Sequence, residues 1–97
     1  MLLSNERELE MIKPSNNISE AFRNAFLRVR HNTTGSVVFG SVETYYDESN
    51  APILNVIKLG DGVYKYEFLY DTQSFIIDSK KGIRYATDED TRQRIFD

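Results

Sequence analysis

Between Ser36 and Ala86 the chain passes through a series of short β-prone segments joined by turn-forming clusters only a few residues long. A parallel pair of strands needs a crossover of about a dozen residues or more, so each segment has to run antiparallel to the one before it. The expected strands cover residues 36–46, 53–59, 63–70, 75–78 and 83–86, which makes a five-stranded antiparallel meander. The first is rich in Val, Thr and Tyr, and Gly40 inside it reads as a bulge or a point of close backbone approach. Gly60-Asp61-Gly62, Asp71-Thr72-Gln73-Ser74 and Ser79-Lys80-Lys81-Gly82 supply turn chemistry between the later strands.

Ahead of the strands lies a segment of a different period. Ile18, Ala21, Phe22, Ala25, Phe26 and Val29 recur at spacings of three and four, which is one apolar stripe on a helix. Asn17 and Glu20 have the spacing of a capping pair at its start. Such a stripe has to be buried, and the best partner for it is residues 63–70. There Tyr64, Tyr66, Phe68 and Tyr70 point to one side of a strand, while Val63, Lys65, Glu67 and Leu69 point to the other. The mixed charge of Lys65 and Glu67 suggests that this second side faces water. A shorter helix is expected over residues 5–13, capped by Ser4 and ended by Pro14, and another from Thr87 onward, where Asp90 stands at capping-box distance. The fold class is therefore α+β: N-terminal helices on one face of the meander and a short C-terminal helix. With 97 residues there is chain for one core, so residues 1–97 are read as a single domain.

Composition narrows the chemistry. Without cysteine, disulfides, thiolate metal sites and cysteine nucleophiles are excluded, and no cofactor is expected. A net charge of -3 argues against broad binding to duplex phosphate, which needs an excess of Lys and Arg on one face. The first residues lack the basic start and apolar run of a secretory signal, and no stretch approaches the roughly 20 apolar residues that span a bilayer. The expectation is a cytoplasmic protein that does not enter membranes, acting in the host cytoplasm if its source is a bacteriophage.

The lone histidine, His31, has no companions for a zinc site and no orienting acid beside it in sequence. The acids Asp47, Glu48, Asp61, Asp71 and Asp78 fall at turns and lack the spacing of a calcium loop. One strand ends in Asp78-Ser79-Lys80 with Asp61 and Asp71 upstream, which resembles the acid-x-Lys metal site of restriction-type nucleases. The resemblance covers only those few residues, and an aspartate opening a tight turn serves the turn equally well. The Tyr/Phe row offers a second reading, a stacking platform for single-stranded nucleic acid.

With no catalytic set standing out, the leading expectation is a small non-enzymatic module that binds another protein. Arg23, Leu27 and Arg30 are its candidate contact residues, and a sheet edge is a further candidate surface. A homodimer is also expected to be within reach of such a surface. In size and composition the chain resembles accessory and inhibitor proteins of bacteria and bacteriophages that act on host or defence proteins.

Overall fold

The computed structural model describes residues 17–87. The helices expected over residues 5–13 and beyond Thr87 lie outside that range. Within it, helix α1 (Asn17–Asn32) is followed by six strands. They are β1 (Thr33–Phe39), β2 (Val42–Asp47), β3 (Pro52–Gly60), β4 (Val63–Phe68), β5 (Gln73–Asp78) and β6 (Gly82–Tyr85). Each pairs antiparallel with its sequence neighbour, so the sheet order is the chain order and β1 and β6 are its edges.

Six strands replace the five expected because Gly40 is a turn residue and not a bulge. Phe39 pairs with Val42, which leaves Gly40 and Ser41 as a two-residue loop. Gly40 takes a φ of 63°, the left-handed conformation that a type II′ connection requires at its first position. The segment read as one strand is thus folded back on itself. At the other end of β1 the helix passes directly into the strand, Asn32 being followed at once by Thr33 of β1. The helix end is closed by the Asn32 side-chain amide, which donates to the Arg28 carbonyl at 2.7 Å. The Thr33 hydroxyl donates to the Tyr46 carbonyl at 3.1 Å and anchors the start of the strand.

The helical stripe and the aromatic side of β4 shield one another. Phe22, Phe26 and Val29 are buried together with Tyr45, Leu54, Val56, Tyr66, Phe68, Phe75 and Ile77, and Ile18, Ala21 and Ala25 pack at the margin. Phe22 is the hub. Its ring stands edge-on to Tyr66 at 5.1 Å and to Phe68 and Phe75 at 5.6 Å, and lies more nearly parallel to Phe26 at 5.6 Å. Edge-to-face packing sets the positive ring edge against the negative face and adds to the gain from area burial.

The opposite side of the sheet is not the wet surface that its charges suggested. Val42, Ile57, Lys65, Ile76 and Arg84 form one cross-strand row. Ile57, Lys65 and Ile76 at its centre are buried, with Lys65 only 3% exposed, although no described helix lies on that side.

Candidate functional site

The sequence candidates on α1 do share one side. Arg23, Leu27 and Arg30 are separated by four and three residues, so they form a line beside the buried stripe. Leu27 is 38% exposed and Arg30 is exposed, while Arg23 is half-buried. On the other flank of the buried stripe, about 100° round the helix from Leu27, Arg28 reaches the loop after β4, where its guanidinium stacks over the Tyr70 ring at 3.8 Å from the centroid. Cation and ring face attract by about 0.5–1 kcal/mol at such an exposed position, which favours this arrangement of the two side chains. Leu69 and Tyr70 are as open as Leu27. Exposed apolar groups and arginines thus lie on both flanks of the stripe: Arg23, Leu27 and Arg30 on one, and the Arg28–Tyr70 pair on the other.

Two rows of the sheet bear on the other readings. Tyr66 and Phe68 are core, each 1% exposed, so the aromatic row offers no continuous platform for stacking bases. Only Tyr70, past the end of the strand, is substantially open. On the far face Thr44, Asn55 and Glu67 stand directly opposite one another on β2, β3 and β4. The Thr44 hydroxyl donates to Asn55 Oδ1 at 2.7 Å, and Asn55 Nδ2 donates to Glu67 Oε1 at 3.3 Å. Lys65 Nζ donates to Glu67 Oε2 at 3.0 Å. These contacts link Thr44, Asn55, Glu67 and Lys65 into one polar network across β2, β3 and β4.

The acid-x-Lys element turns inward on its own backbone. Asp78 Oδ1 accepts the amide N–H of Lys80 at 2.8 Å and that of Lys81 at 3.3 Å, an Asx-type turn between β5 and β6. The Lys80 amide above all holds this carboxyl below its ordinary range, and the Lys81 amide and the two lysine charges act in the same direction. Among the described residues no group of three or more His, Asp or Glu side chains is placed to hold a metal ion. His31 is exposed at the end of α1.

One feature of the surface was missed in the sequence: Val37, Val38 and Phe39 on edge strand β1 are 59%, 66% and 87% exposed. The signal was present, because three consecutive apolar residues cannot all point to one face of a strand. Reading Gly40 as a bulge hid it by placing them in the middle of a longer strand. Comparison with protein-family models, with curated proteins and with solved structures returns no match.

Proposed function

We infer that the domain is a small non-enzymatic module that binds another protein through the outer side of α1, with Arg23, Leu27 and Arg30 as contact residues on one flank of the buried stripe and the Arg28–Tyr70 stack on the other. The observation that carries this reading is the stack itself. An arginine held against a ring, with exposed Leu69 next to that ring in the chain, presents cationic and apolar groups whose ordering cost is partly met before a partner arrives. Tyrosine and arginine are also the residue types that dominate binding energy in protein interfaces. The complementary partner carries carboxylates beside an apolar side chain. In size and composition the chain resembles bacterial and bacteriophage accessory or inhibitor proteins, which makes a host or defence protein the class of partner to test first.

The test is affinity capture with the wild-type chain and with Leu27→Asp/Arg30→Glu, both checked for unchanged thermal melting. The expected outcome is a partner retained by the wild type and lost from the variant. Equal retention by both would remove the helix surface from consideration. Titration with single-stranded oligonucleotides at low salt, followed by tyrosine fluorescence, addresses the other reading. Saturable, salt-dependent quenching would favour nucleic acid over protein.

A further inference from the structure

Strand β1 ends the sheet, and among the described residues nothing pairs with its outer side. The two-residue loop makes Phe39 and Val42 a pair that exchanges main-chain hydrogen bonds, and the alternation of an antiparallel ladder gives Val37 and Thr44 the same role. The N–H and C=O groups of Ser36 and Val38 then point away from the sheet. Proteins ordinarily blunt such an edge with charge, proline or a bulge. The opposite edge follows that practice: β6 is four residues long, carries Arg84 and is preceded by Lys80 and Lys81. β1 does not, since Thr33 to Ser41 contains no charged residue and no proline in a chain that is 28% charged, and its one irregularity lies at the far end, between Thr33 and Gly35.

We propose that β1 pairs edge to edge with β1 of a second copy of this chain, antiparallel about a two-fold axis at Val37, so that two six-stranded sheets become one. That register places Val37 of one copy opposite Val37 of the other, Ser36 opposite Val38, and Gly35 opposite Phe39. Ser36 and Val38 are the residues with outward main-chain groups, so they exchange the new hydrogen bonds. Gly35 and Phe39 are equidistant from the axis, and opposite residues of an antiparallel pair lie on the same face. Each 87%-exposed Phe39 ring therefore lies over a glycine, and a Cβ built at Gly35 would meet nothing within 4 Å. Phenylalanine covering an edge glycine fills space that two larger residues would contest. The absence of charge removes the like-charge repulsion that a self-pairing edge would otherwise meet. This surface lies on a different element from the helix side discussed above, and the proposal stands without it.

Sedimentation equilibrium of the full chain tests it. The mass should rise from 11.3 kDa toward twice that value with concentration. Val37→Lys and Val37→Glu place like charges directly opposite each other, so each alone should stay monomeric. An equimolar mixture of the two should recover the dimer, because only there does lysine face glutamate. Circular dichroism melts establish that both variants fold, as expected for a residue already 59% exposed. Phe39→Ser should independently weaken the wild-type dimer by about tenfold or more. A wild-type chain that stays at 11.3 kDa up to ~1 mM overturns the proposal. So does a dimer that survives in both single variants, or a mixture that stays monomeric. Loss of capture of a different protein by Val37→Lys, with the wild type monomeric, would assign the edge to a foreign strand instead.

Discussion

Two residues show how single positions are held against their intrinsic preferences. Thr72 occupies the left-handed region at φ 58°, where a β-branched side chain is crowded by its own backbone. Asparagine tolerates that conformation, so Thr72→Asn is expected to stabilise the domain by about 0.5–1 kcal/mol, read as a higher urea midpoint at unchanged slope. A lower midpoint would show that the Thr72 hydroxyl, which donates to the Asp71 carbonyl at 2.6 Å, outweighs the strain. Asp78 is the second case. Its carboxyl is lowered in the folded chain chiefly by the Lys80 amide, so its contribution to stability is complete above the ordinary aspartate range and is lost as pH falls through the depressed value. Asp78→Asn keeps an acceptor oxygen but no charge. The wild type should be the more stable at pH 7, and the gap should close on acidification below about pH 4. A gap that stays constant down to pH 2 would mean that shape alone sets the turn.

Among the elements, α1 was the most legible, because one period of three and four over Ile18 to Val29 has only one physical reading, and its partner on β4 followed from the need to cover two phenylalanines. The β1–β2 hairpin was less so. Gly40 within a β-prone run is compatible with a bulge or a loop, and only the register separates them. Lys65 was misread for a different reason. Its charge suggests water, yet a lysine carries a long aliphatic stem, and here that stem lies between Ile57 and Ile76 in a buried row while Nζ is paired with Glu67. The stem has a measurable role in this strand. Lys65→Ala should cost about 2 kcal/mol more than Lys65→Met, because methionine restores two or three buried carbon-sized groups at about 0.8 kcal/mol each. Equal costs in chemical denaturation would assign the effect to the charge and not to packing. As for the candidate site, Leu27 and Arg30 were legible as the exposed side of a periodic helix. The Arg28–Tyr70 stack was not, since a contact between a helix and a distant loop has no local sequence signal.

At the scale of the whole molecule, large apolar side chains divide into two groups that composition cannot tell apart. Phe22, at 2% exposure, touches four other rings and joins the helix to β4 and β5, whereas Phe39, at 87%, touches little within its own chain. Removing a buried phenylalanine forfeits transfer energy and leaves a cavity, about 3–5 kcal/mol, which is a large share of the roughly 5–15 kcal/mol that holds a small domain together. Phe22→Ala should therefore leave the chain largely unfolded or melting many degrees lower. Phe39→Ala, measured at low micromolar concentration where self-pairing is dilute, should shift stability by no more than about 0.5 kcal/mol. A phenylalanine that the fold does not need is costly to carry on a surface, because it invites association. If Phe39→Ala proved as damaging as Phe22→Ala, β1 would belong to the core and its edge would lose its claim as an interface. If it is silent in isolation, the exposed run from Val37 to Phe39 serves contacts beyond the single chain, and the sheet owes its stability to β2 through β6 under α1.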